Sequence, residues 1–329
     1  MNRFSLASFG LFLVGVCLAQ TAVLGVQGII TNTDGRSFEG EIKVERDGSV
    51  TLDVAAGDGA VSYRFTKESL GGIKFLDAET VEDGLDAFER GHNEAAILSL
   101  TEVHRARSPF FKLLPVSSLT EPSLALGKAY LETKRFADAT GVAGVLLGGN
   151  FPDSSIHDQA NEILLMAFFG LERWDETELL AKRWCESHEP FDESALGWWI
   201  LSEVHLARGE LDKARWVSLQ PITFSSQFPK VYLQNCFHVA MAAWVNETPE
   251  QALRLFRQYQ ARGYTWPEAS HEETRIKITS LALAEAVVPE EEEALEEMTI
   301  DEGAPKKDLN LPLETVRKLT TKQEPSHTP

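Results

Sequence analysis

Five slim residues, Ala96, Ala139, Thr177, Ala214 and Ala252, recur along this chain at intervals of 43, 38, 37 and 38 residues, each inside an amphipathic helical pattern. Two facing helices approach closely only where a small side chain sits at the crossing. A beat of this length therefore predicts a stack of helix pairs, a helical solenoid. Stacks of that kind usually hold partners rather than transform them.

Upstream of residue 78 the hydrophobic period is two instead of 3.6. Val26 to Thr31, Ser37 to Val44, Val50 to Val54, Val61 to Phe65 and Ile73 to Leu76 read as five short strands, separated by turn signals at Asp34-Gly35, Asp47-Gly48 and Gly57-Asp58-Gly59. Ser69-Leu70-Gly71-Gly72 reads as one tight helical turn before the last strand. Five strands so spaced over residues 24–77 resemble an SH3-like barrel. Modules of that type bind proline-rich peptides, cell-wall peptides or RNA, each through its own surface chemistry. Here Lys43, Arg46 and Arg64 are interleaved with Glu39, Glu41, Glu45, Asp53 and Asp58, so a basic RNA face is absent. Phe38, Tyr63, Phe65 and Phe75 fall at alternating positions that suit a core. A docking module is expected, with a peptide or glycan reader as the alternative.

From Glu79 the period becomes helical. Leu124-Ala125-Leu126-Gly127-Lys128-Ala129-Tyr130-Leu131 is followed by Lys134-Arg135-Phe136-Ala137-Asp138-Ala139. This resembles a tetratricopeptide repeat, whose first helix carries a Leu-Gly pair with an aromatic after it and whose second opens with an aromatic before the small residue. Gly91 to Val103 supplies the second helix of a first pair. Phe168, Trp174 and Pro190 mark a third pair, Trp198, Leu201, Gly209 and Ala214 a fourth, and Ala252, Phe256 and Pro267 a fifth. Thr248-Pro249 reads as an N-cap followed by proline in the first helical turn. The intervals exceed the family's unit of about 34 residues, and Ser108 to Pro122 is an insertion. Its Phe110, Phe111, Leu113 and Leu114 are expected to pack as a short helix over the first pair. Ser270 to Ala286 is expected to form a helix covering the end of the stack. The fold class is thus mostly α: a tetratricopeptide-like solenoid of about five pairs with a capping helix over residues 78–288, preceded by a small all-β barrel.

The two ends differ from this body. Arg3, the apolar run Phe9 to Leu18 and Cys17-Leu18-Ala19 predict a signal peptide over residues 1–19, with an uncleaved anchor or a lipoprotein site at Cys17 as lesser readings. Periplasmic or otherwise exported localisation follows from it. Residues 289–329 open with Glu290-Glu291-Glu292-Glu293 and read as a disordered acidic tail. In it Leu309, Leu311, Leu313, Val316 and Leu319 offer a short strip for self-docking or partner docking. Cys185 and Cys236 lie in apolar helical surroundings and are expected to act as small hydrophobes rather than as a pair.

The net charge of −19 argues against a nucleic-acid partner. No HExxH, GxGxxG, phosphate-loop or GxSxG pattern occurs, and the eight histidines are dispersed, so no enzymatic activity, metal or cofactor is expected. In tetratricopeptide arrays the first helix of each pair lines a concave groove. Counting back from each beat residue, the resemblance places Leu124, Lys128 and Leu131, then Glu162, Met166 and Phe169, then Trp199, Glu203 and Leu206, then Phe237, Met241 and Trp244 along it. The Lys and Asn clamp for a peptide carboxylate is missing. A hydrophobic or amphipathic protein segment is the expected guest. A one-residue slip in phase would instead turn Trp199, Phe237 and Trp244 into core. Three functions remain open: an envelope scaffold, a cell-wall or glycan binder acting through the barrel, and a periplasmic chaperone for apolar segments.

Overall fold

The computed structural model describes residues 25–57, 59–113, 119–188, 194–224, 230–266 and 271–287. The expectations for the leader at 1–19, for Leu114, Pro190 and Pro267, and for the tail at 289–329 lie outside these residues.

Five strands come first: β1 (Val26–Asn32), β2 (Ser37–Val44), β3 (Val50–Ala56), β4 (Gly59–Phe65) and β5 (Leu70–Phe75). They form one antiparallel sheet in the order β4-β3-β2-β1-β5. Alternation places Ile30, Ile42 and Leu52 on a single wholly buried face. Of the helical turn expected at Ser69 to Gly72, Leu70 to Gly72 are instead strand. The turn falls earlier, where Ser69 N–H bonds Thr66 O, and Leu70 and Gly72 pair with Asn32 and Thr31 of β1. Glycine is required there, because Gly71 is the extra residue of a bulge in β5 opposite Thr31/Asn32, and a Cβ on it would lie 2.6 Å from Asn32 O.

Eleven α-helices follow among the described residues. Ten make five consecutive pairs: α1 (Ala78–Glu89) with α2 (Asn93–Arg107), α3 (Glu121–Glu132) with α4 (Phe136–Leu147), and α5 (Ser154–Gly170) with α6 (Trp174–Ser187). Then come α7 (Ala195–Ala207) with α8 (Leu211–Phe224) and α9 (Lys230–Trp244) with α10 (Pro249–Ala261). The last helix, α11 (Glu272–Val287), packs on α9 and α10. The first pair's second helix starts two residues later than expected, because Gly91 sits in the turn at φ 76°.

Each beat residue occupies the fourth position of its second helix, and all five are 0% exposed. A matching small position stands twelve residues ahead in the first helix: Gly84, Gly127, Ser202 and Ala240, with Leu165 as the exception. A side chain on Gly127 would press on Ile163 at 2.9 Å, so α3 and α5 can approach only without one.

Four of the pairs turn identically, through three residues whose middle member is left-handed: Gly91, Lys134, Glu172 and Gly209. In each, the residue after it donates its N–H to the carbonyl five residues back: His92 to Ala87, Arg135 to Tyr130, Arg173 to Phe168 and Glu210 to His205. Side chains repeat this link. Arg135 lies 4.6 Å over the Tyr130 ring, Arg173 lies 4.4 Å over Phe168, and His205 Nδ1 meets Glu210 Oε2 at 2.6 Å. The fifth pair departs from the pattern. Thr248 precedes Pro249 as expected, but its Oγ1 makes no cap bond and is buried without a partner among the described residues.

The sheet shares one apolar core with the first five helices. The insertion forms a 3₁₀ turn, Ser108–Lys112, whose Phe110 and Phe111 are 1% exposed. Phe110 meets Phe75 of β5 edge-on at 5.1 Å, and Phe111 meets Phe151, ahead of α5, at 5.5 Å. The insertion thus joins sheet to helices rather than merely covering the first pair. Arg107 ties the joint, donating from Nε to Asp77 at 3.0 Å while its guanidinium lies over Phe75.

Candidate functional site

The first helices of the first three pairs leave a channel between them. It has two adjoining hollows, of about 340 and 410 Å³, joined at Phe88 and Lys128. Its apolar lining comes from Leu85 and Phe88 of α1, Leu124 and Leu131 of α3, and Ile156, Ile163 and Met166 of α5, with Phe136 at one end. Glu89, Glu121, Glu132, Asp153 and Glu162 surround these residues, and Lys128 is the sole cation among the described residues lining it. Lys128 Nζ donates to Gln159 Oε1 at 3.0 Å, which holds the amine across the α3–α5 seam. The channel is therefore apolar within and acidic at its edges.

Of the positions marked from sequence, Lys128, Leu131, Glu162 and Met166 meet in the smaller hollow, and Leu124 joins Lys128 in the larger. Phe169 stands next along α5, 6.1 Å from Trp199. There the opening ends, because Tyr232 of α9 reaches back seventy residues and donates its hydroxyl to Glu162 Oε1 at 3.0 Å. Its ring stacks on Trp199 at 5.8 Å. Burial, then the Glu162 carboxylate, pushes the Tyr232 phenol above its usual range, so it remains a hydrogen-bond donor.

Beyond Trp199 the marked residues are occupied by the chain itself. Trp199 Nε1 donates to Glu203 Oε1 at 3.0 Å, and His271 Nε2 lies at the same distance from that oxygen. Phe237 and Met241 are 0% exposed and belong to the C-terminal core, not to a groove. The reason is the connection after α10, whose Tyr264 packs edge-on to Phe237 at 6.2 Å and whose Trp266 stacks on His238 at 4.3 Å. Leu206 packs against the core made by Ala214, Val239 and Ala243, and Trp244 is covered by Arg215 at 4.3 Å. The competing phase, with Phe237 in the core, describes this half better.

Sequence reasoning missed Leu85, Phe88 and Glu89, although counting back from Ala96 as from the other beats reaches Leu85 and Phe88 directly, with Glu89 next to them. Tyr232 had no such signal, since it stands before the counted positions of its own helix.

The described residues hold no cluster of three or more His, Cys, Asp or Glu suited to a metal ion. Cys185 and Cys236 are free. Burial pushes the Cys185 thiol up to about 12 and the Cys236 thiol well above its ordinary value, so neither is a thiolate at neutral pH. On the sheet, Lys43 is held between Asp53 and Glu41, each at 3.0 Å, and Arg64 pairs with Asp47. No helix among the described residues is long and apolar enough to cross a membrane. No protein-family model matches the chain, and no curated protein matches it in sequence.

Proposed function

We propose that this protein is a non-enzymatic, cofactor-free interaction scaffold that holds an amphipathic protein segment in the channel between α1, α3 and α5. One observation carries the reading: an open apolar trough about as long as three helix pairs, flanked by carboxylates. Burying apolar side chains of a guest there gains about 25 cal/mol per Å². The acidic edge selects against acidic segments and favours a guest with Lys or Arg beside its apolar strip. The helix pairs fit a tetratricopeptide-like solenoid, on the strength of the small-residue beat and the recurring left-handed turn. The sheet order fits an SH3-like barrel used as a packing module. With the leader at 1–19, the place of work is the cell envelope of a bacterium.

The test is a titration of the chain with a fluorescent synthetic Leu/Lys amphipathic peptide. Leu131→Asp combined with Met166→Asp places charge on the channel floor and is expected to weaken binding about tenfold or more, a loss of ~1.4 kcal/mol, with the thermal midpoint little changed. Unaltered affinity in that variant overturns the proposal.

A glycan reading draws on one feature of the sheet, the Phe38–Tyr63 stack at 5.2 Å with Tyr63 40% exposed. Because sheet and helices share a core, that reading is tested by Tyr63→Ala binding to isolated cell wall, not by deleting the sheet.

A further inference from the structure

The chain carries a segment with the chemistry the channel selects. Lys306, Lys307, Arg317, Lys318 and Lys322 stand against only Asp308 and Glu314 between residues 306 and 322, in a chain whose net charge is −19. Within the same stretch lie Leu309, Leu311, Leu313, Val316 and Leu319. We propose that residues 306–322 dock in the channel between α1, α3 and α5, occupying it until a partner segment displaces them. This rests on the reading of that channel as a site for amphipathic segments.

Charge, reach and concentration support the assignment. The five carboxylates around the channel oppose the segment's basic residues, and its apolar residues match a floor of Leu, Ile, Phe and Met. The linker from the end of α11 at Val287 to Ala304 contains Glu290 to Glu293, Glu296 and Glu297, which the acidic edges repel, so the linker stays out of the trough while the basic segment enters. A stretch of that length spans up to about 60 Å when extended. Neighbouring helices sit about 10 Å apart, and α11 is separated from α3 by α5, α7 and α9, so the channel lies within reach. Tethering makes the effective concentration on the order of millimolar, enough for a weak segment to compete with a free partner.

The experiment uses the full chain with the photo-crosslinker p-benzoylphenylalanine in place of Val316, read by mass spectrometry on a mixture of isotopically light and heavy protein. Crosslinks within one chain to peptides of α1, α3 or α5 are expected. Crosslinks between chains, crosslinks elsewhere, or none overturn the proposal. A second measurement repeats the Leu/Lys peptide titration on Arg317→Glu/Lys318→Glu, in which the tail no longer competes. Affinity is expected to rise about tenfold. If affinity stays constant while Leu131→Asp/Met166→Asp still weakens the peptide, self-docking falls and the channel reading stands. If the peptide binds neither the unaltered chain nor Arg317→Glu/Lys318→Glu, the channel reading falls and self-docking falls with it.

Discussion

The first three helix pairs and the last two follow the same rule of construction and reach opposite surfaces. Both stack through fully buried small residues, Ala96 and Ala139 in one half and Ala214 and Ala252 in the other. In the first half the inner helix faces stay open to solvent and ringed by carboxylates. In the second, Tyr264, Trp266 and His271 fold back over α9 and α7, so equivalent positions become core. Whether such a position on the first helix of a pair is groove or core is thus decided by what the chain does after the pair, not by the pair's own pattern.

The largest test of this contrast exchanges matched positions for alanine. Phe237→Ala is expected to cost about 3–5 kcal/mol in urea denaturation, whereas Leu131→Ala costs about 1 kcal/mol or less and acts on peptide binding instead. Equal losses at both positions would erase the distinction between the halves.

Acid should loosen the closed half. Burial, followed by the neighbouring His271, lowers His238 from 6.5 to about 3, and the ring is stacked on Trp266 and bonded through Nε2 to the Tyr259 hydroxyl at 3.1 Å. The unfolded chain binds a proton here below 6.5 while the folded one does not. Stability is therefore full above that pH and falls as pH drops towards the folded value, by about 2 kcal/mol at pH 5. His238→Phe should remove that share of the pH dependence, read from denaturation midpoints at pH 7 and 5.

The joint between the halves gives a smaller effect. Glu178 of α6 accepts from Lys182 and from Arg208 in the α7–α8 turn, each at 2.5 Å, and these partners hold its carboxyl down at about 2. Its contribution is present above about pH 4.5 and is lost as pH falls towards 2. Glu178→Gln should cost about 1–2 kcal/mol at pH 7 and nearly nothing at pH 2.

The smallest effect lies in the turns. Gly209 already suits its left-handed position, but Lys134 adopts φ 58° with a side chain attached. Lys134→Gly should raise stability by about 0.5–1 kcal/mol, while Gly209→Lys lowers it, both read from thermal midpoints.

Local requirements were legible in the sequence. The beat residues announced their burial because a small side chain at a helix crossing is a pairwise constraint visible within one repeat. Strand alternation likewise located β2 to the residue. The turn before β5 was misplaced because Gly71-Gly72 signals a turn and a close approach equally well, and only the bulge at Gly71, where β5 passes Thr31/Asn32, separates the two. At the site, Lys128, Leu131 and Met166 followed from counting, while Phe237 and Met241 did not survive it. Their covering comes from Tyr264 and Trp266, in a connection with no periodic pattern, and the closure at Glu162 depends on Tyr232, seventy residues away.

The ring contacts between Phe75, Phe110, Phe111 and Phe151 also constrain the order of events on the ribosome. The sheet emerges first, yet part of its apolar surface finds a partner only after Phe110 has followed, and the seal is complete once Phe151 is made. Translation pausing inside that window would leave a nascent chain with exposed Phe75, the state in which a holding chaperone has most to protect.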